Sequence, residues 1–196
     1  MRIKMAIIVS DIKKSYGENV ILDGVTHTFK MGSVTCIMGQ SGAGKTTFAN
    51  ILMGIEKADS GSVTDNIRYS AVFQENRLVE EITPFANIAM VLDKHICKTE
   101  IKKLVEGNFC EMIDRESIYK KTEKLSGGMK RRVAIIRAML SDSDAVILDE
   151  PFTGLDEKNR IKCIEYIKKL LNGRTLIVIT HNEDDCKRFE ADILHI

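Results

Sequence analysis

Gly39-Gln40-Ser41-Gly42-Ala43-Gly44-Lys45-Thr46 decides how this chain is to be read. The octet fits G-x-x-x-x-G-K-[ST] in full. It stands between a short apolar run, Val34 to Met38, and a segment of helical character from about Lys45 to Met53, which is the context the motif requires. The glycines let the main chain curl until several N–H groups point at one anion. The amino terminus of the following helix adds positive potential. Lys45 then supplies a point charge for the β- and γ-phosphates of a nucleoside triphosphate, and the Thr46 hydroxyl can ligand Mg²⁺. Thr47, next in line, belongs with the nucleotide-binding positions. A glycine-rich turn carrying a chance lysine would not have both flanks right.

Working outward, short apolar segments alternate with helical ones. Met5 to Ser10 and Val20 to Phe29 read as strands, with Tyr16-Gly17-Glu18-Asn19 as a turn between them. Ser70 to Phe73, Ala145 to Leu148, Thr175 to Thr180 and Asp192 to Ile196 read as further short strands. Helices are expected over about Gly128–Leu140 and Glu157–Leu171. From about Pro84 to Tyr119, Ile101, Leu104, Val105, Met112 and Ile113 recur at helical spacing among charged residues, a pattern of an amphipathic helix. These patterns predict an α/β fold: a core with a mostly parallel sheet covered on both faces, a small antiparallel β-subdomain, and a helical subdomain of about 75–128 inserted into a single domain of 1–196.

Composition fits that frame. The chain has 196 residues, 44% apolar and 29% charged, with a formal net charge of +1. The charge balance gives no reason to expect nucleic acid as a partner. The five cysteines are odd in number and none stands at C-x-x-C spacing, so buried free thiols are expected rather than disulfides or zinc. No apolar run approaches bilayer length, so a membrane role needs a partner that supplies the spanning helices.

A second constellation supports the first. Ala145-Val146-Ile147-Leu148-Asp149-Glu150 is an apolar strand ending in two acids. Parallel strands end at the crevice where ligands bind. There Asp149 would reach Mg²⁺, and Glu150 could accept the proton of an attacking water. A third segment, Leu125-Ser126-Gly127-Gly128-Met129-Lys130-Arg131-Arg132-Val133-Ala134, places Ser126-Gly127-Gly128 just before a helix. That is a second anion site made of bare N–H groups. Two phosphate sites and one nucleotide suggest that the second serves another subunit's ATP.

This third segment resembles the signature of the ATP-binding-cassette ATPases, and the rest of the chain is similar to that family in order and spacing. The resemblance implies roles for single residues. Gln74 is similar to the glutamine that senses Mg²⁺ and the attacking water and faces the membrane partner. Thr153-Gly154-Leu155-Asp156 resembles the segment linking two active sites. His181 resembles the histidine that touches the γ-phosphate, and Tyr16 the aromatic ring under adenine. Lys45, Glu150, His181 and Gln74 are then the catalytic set. The resemblance implies ATP and Mg²⁺ as cofactors and a homodimer or paired cassette sharing two ATP sites. It also implies membrane-spanning transporter subunits, a solute-binding protein if the system imports, and a cytoplasmic place on the inner face of the membrane. Import is favoured because exporters often fuse cassette and membrane domain in one chain. The alternatives are a soluble cassette of the iron–sulfur assembly type and a module that holds ATP without hydrolysing it. The second is opposed by the presence of Glu150, Gln74 and His181 together.

Three departures from the family pattern stand out. Met129 replaces a glutamine at the fifth signature position, as in cassettes similar to nitrate, sulfonate and taurine importers, and Phe73-Gln74-Glu75-Asn76-Arg77-Leu78 points to the same subgroup. The short distance from Gly61 to Gln74 implies a trimmed β-subdomain. The chain ends soon after His181, so no carboxy-terminal regulatory domain is expected.

Overall fold

The computed structural model describes residues 6–64 and 66–196. The chain divides into two compact units. The first holds Met1–Tyr69, Ser143–Glu150 and Gly173–Ile196; the second holds Ser70–Asp142 and Pro151–Asn172.

In the first unit, β1 (Ile7–Tyr16), β2 (Asn19–Phe29) and β4 (Ser60–Thr64) form an antiparallel sheet in the order β2-β1-β4. β1 runs well past Ser10, where the sequence pattern stops. The cause is a bulge. Ile7 and Val9 are buried, but the next buried residue is Ile12, so the period of two breaks. At the break Asp11 takes φ 50°, and its N–H donates to Thr26 Oγ1 at 2.9 Å. The expected start at Met5 lies outside the described residues. Tyr16 faces Asn19 across the expected turn.

The same unit holds four parallel strands: β3 (Val34–Met38), β6 (Ala145–Asp149), β7 (Thr175–Ile179) and β8 (Asp192–His195), in the order β6-β7-β3-β8. β6 and β7 are buried at every position, which is why they read as unbroken apolar runs rather than as alternating ones. The unit's helices are α1 (Lys45–Leu52), directly after the β3 loop, and α6 (Glu183–Phe189), after β7. α6 has three acids in its first turn and too short an apolar period to be seen beforehand.

The chain passes into the second unit through β5 (Tyr69–Val72). That unit is helical: α2 (Pro84–Ala89), α3 (Lys98–Met112), α4 (Gly127–Leu140) and α5 (Glu157–Leu170). The amphipathic helix is α3, but its buried stripe is Val105, Phe109 and Met112, while Leu104 is exposed. α4 is the central helix: it packs with α2, α3 and α5 and buries seven residues, among them Arg131. Fully buried Asn87 on α2 joins three segments. Its amide accepts from the Val79 N–H and donates to Val79 O, both at 2.9 Å, and donates to Thr122 Oγ1 at 3.1 Å. Tyr166 of α5, also buried, donates its hydroxyl to Asn108 Oδ1 of α3 at 2.9 Å.

All five cysteines are free, as expected, but Cys97 and Cys110 are exposed rather than buried. Both sit on or beside the solvent face of α3. Burial pushes the Cys163 thiol up to about 12.

Candidate active site

The first unit gathers most of the expected residues at the carboxyl ends of its parallel strands. β3 delivers the loop Gly39–Gly44 and α1 begins at Lys45. Gly44 precedes that helix at φ 90°, a conformation that strains any residue with a Cβ. Gly39 is glycine for a different reason. A Cβ there would lie 2.0 Å from the Ile196 carbonyl oxygen, because the end of the chain pairs with β3 at Met38. Gln40 and Ala43 close the intervening turn, Ala43 N–H donating to Gln40 O at 3.2 Å, with Ser41 and Gly42 exposed at its tip. The Lys45 ammonium lies across the loop's mouth and donates to Gly39 O at 2.9 Å and Gln40 O at 2.7 Å.

Thr46 Oγ1 donates to Asp149 Oδ2 at 2.7 Å. A hydroxyl and a carboxylate oxygen in contact, one from α1 and one from the end of β6, form the all-oxygen donor set that a hard cation takes. Glu150 follows at φ 46°, its N–H donating to Ile179 O of β7 at 3.0 Å. Left-handed backbone at such a residue costs about 1–3 kcal/mol and persists where the surroundings enforce it, often at functional sites. The turn brings Glu150 Oε1 to 3.0 Å from His181 Nδ1; the histidine is three-quarters exposed, the carboxylate less so. Behind His181, Thr180 donates to the buried Asp185 carboxylate at 2.8 Å and accepts from Asn182 N–H at 3.1 Å, which fixes the histidine turn.

Tyr16, half exposed at the end of β1, donates its hydroxyl to Glu56. The Glu56 carboxylate raises the phenol above its ordinary value. Lys14 sits over the ring, 5.2 Å from its centroid. Glu56 belongs to no motif, so sequence reading passed over it.

The second unit holds the remaining expected residues. Gln74 is exposed in a bend after β5. Ser126 caps α4, its hydroxyl accepting from Met129 N–H at 3.3 Å. A Cβ on Gly127 would meet nothing within 4 Å, whereas one on Gly128 would press on Leu155 Cδ2 at 3.2 Å. Gly128 is thus explained by packing inside the unit, and Gly127 is not. Asp156 caps α5 by accepting from Asn159 N–H at 2.8 Å, and that bond holds its carboxyl below the usual range. Arg131, buried in α4, grips the main-chain oxygens of Phe73 and Gln74; it stands in the Leu125–Ala134 segment, where nothing in the spacing marks it out.

A phosphate-binding loop after a parallel strand, a lysine across its mouth and two acids ending a second apolar strand of the same sheet define a P-loop nucleoside-triphosphatase. Within that class the chain belongs to the ABC transporter family, whose model matches residues 22–153, and it is an ATPase. It is 37% identical to the tungstate uptake system ATP-binding protein of Peptoclostridium acidaminophilum, the alignment covering 98% of this chain and 94% of that protein. To the aliphatic sulfonates import ATP-binding protein of Corynebacterium glutamicum it is 33% identical, over 93% and 76%. Its fold is that of a solved dimeric ATP-binding cassette in a post-hydrolysis state with ADP and phosphate, with a TM-score of 0.86, 27% identity and 97% of this chain covered.

Proposed function

We propose that this chain is the Mg²⁺-dependent, ATP-hydrolysing subunit of an importer. In this reading the phosphate loop of one copy and Ser126-Gly127-Gly128 of a second enclose each nucleotide. The observation that carries the shared site is Gly127. Glycine as the first residue of a helix costs stability relative to a residue with a side chain. Nothing within its own chain crowds that position, so its bareness suits a ligand approaching from outside. Ser126 caps the helix, so the free N–H groups of the first turn remain directed at that space.

Phosphoryl transfer to water relies on positioning and electrostatics. Lys45 holds β- and γ-phosphate oxygens. Glu150 orients and deprotonates the water, and His181, 3.0 Å from Glu150, contacts the γ-phosphate from the same edge. Thr46 and Asp149 would hold Mg²⁺, with the Gln74 carboxamide as a further oxygen. When bound, that ion neutralises charge on the phosphate oxygens. The free face of Tyr16 stacks on adenine.

No helix among the described residues is long and apolar enough to cross a membrane. A membrane-spanning partner, met at the residues after Gln74 on the cytoplasmic face, fits that fact and the transport roles of the relatives. Import, with a solute-binding protein upstream, follows the uptake and import names those relatives carry. The deciding experiment is sedimentation of Glu150→Gln with Mg²⁺ and ATP. A dimer that dissociates on nucleotide removal is expected; a strict monomer at saturating ATP sinks the shared-site reading.

A further inference from the structure

Residues 73–80 form no helix or strand, so their carbonyl groups have no ladder partners and need donors from elsewhere. For residues 73, 74, 76 and 77 the donors come from α4. Arg131 Nη1 donates to Phe73 O at 2.6 Å and its Nη2 to Gln74 O at 2.5 Å. Two turns further on, Arg137 Nη1 donates to Arg77 O at 2.9 Å and Nη2 to Asn76 O at 3.3 Å. Each guanidinium thus takes two successive carbonyls, a match that a planar fork can make and an ammonium cannot. Lys130 adds an ion pair to Glu80 at 2.6 Å. Within the loop Arg77 turns left-handed at φ 44° and lays its guanidinium 3.6 Å from the centroid of the Phe73 ring. Gln74 itself leaves its side chain exposed: the clamp holds its main chain only.

We propose that Arg131 and Arg137 are positioning residues for Gln74, binding its loop to the helix that begins at Ser126-Gly127-Gly128 so that the glutamine and the signature turn move as one body. The inference rests on the role given to Gln74 above and adds what sets its position. Burial lowers Arg137 from its ordinary value, yet an arginine keeps its charge there because carbonyl dipoles replace the lost water. A loosened clamp would leave the nucleotide-holding residues of the first unit untouched and would let the Gln74 carboxamide wander. Misplacing a positioned group by about 1 Å can cost on the order of 100-fold in rate.

The test is a double-mutant cycle on the full chain, with Arg131→Met, Gln74→Ala and both, reading kcat and KM for MgATP and the thermal midpoint. Arg131→Met should lower kcat about tenfold with KM little changed, and should cost almost nothing further in the Gln74→Ala background, because both changes remove one function. Arg131→Lys should restore only part of the rate, since it lacks the fork. Additive losses, or a fall in thermal midpoint that accounts for the lost rate, would reduce Arg131 to a structural residue and overturn the proposal. An unchanged kcat in Arg131→Met beside a slow Gln74→Ala overturns it too. If Gln74→Ala itself costs nothing, the role of Gln74 is wrong and the proposal goes with it. Amide exchange at 74–77, faster in Arg131→Met than in Gln74→Ala, then shows the clamp alone to be real. Should Arg131→Met fail to fold, Arg137→Met carries the same cycle.

Discussion

At Glu150 one residue meets two demands: a strained left-handed backbone and a carboxylate 3.0 Å from His181. Together they place an acid directly after Asp149, whose carboxylate meets Thr46 of the phosphate-loop helix. Glu150→Gln keeps shape and removes the charge, so hydrolysis should fall by roughly 100-fold or more, the usual scale for a lost general base. ATP affinity, measured with a fluorescent nucleotide, should stay; an ATPase rate near that of the parent excludes Glu150 as the base. Lys45→Ala should do the reverse. It removes a ground-state contact with the phosphates, and a titration should show markedly weaker ATP binding. Tyr16→Ala should weaken ATP binding by about tenfold, since base stacking on an aromatic ring is worth about 1–3 kcal/mol, and pyrophosphate binding should not change.

Elements set the positions of these residues, and small parts of elements set the elements. Gly39 ends β3 against the carbonyl of Ile196, so Gly39→Ala puts a methyl group 2.0 Å from a main-chain oxygen. Either the last strand or the phosphate loop must move. A lower thermal midpoint together with weaker ATP binding is the expected result, and normal values for both would mean that the strand end is free to shift. In the second unit the Asn87 amide satisfies both main-chain groups of Val79. Asn87→Leu takes that partner from both part-buried groups, at up to about 1–3 kcal/mol each. A urea titration should show that loss as a lower midpoint at unchanged slope.

For the whole molecule, the proposed function needs a second copy. Gly127→Asp places a charged side chain into the open space before α4 without crowding its own chain. It should leave folding and ATP affinity of the single chain unchanged, abolish the ATP-dependent dimer of Glu150→Gln, and suppress hydrolysis in an otherwise unaltered chain. Retained turnover in the Gly127→Asp protein would place the second phosphate site elsewhere. The same variant should fail to drive transport when supplied to its membrane partner in vesicles, with uptake of solute as the readout.

Local chemistry settled much of this in advance. A glycine-rich octet between an apolar run and a helix has one common structural solution, and runs as short and apolar as Ala145–Leu148 become buried parallel strands because nothing polar in them could face water. The octet, the acidic strand end and the Ser126 turn were therefore legible, as was the α/β class. Three things were not, because each depends on residues far apart in the chain. The bulge at Asp11 shifts burial from odd to even positions and extends β1 beyond its visible pattern. The Glu150–His181 contact needs β6 and β7 side by side. The arginine forks of α4 need a loop without regular structure to hold. The order of residues determined which groups are present and on what kind of element; long-range packing decided which of them touch, since a contact between distant residues is an outcome of the folded core and leaves no local pattern behind it.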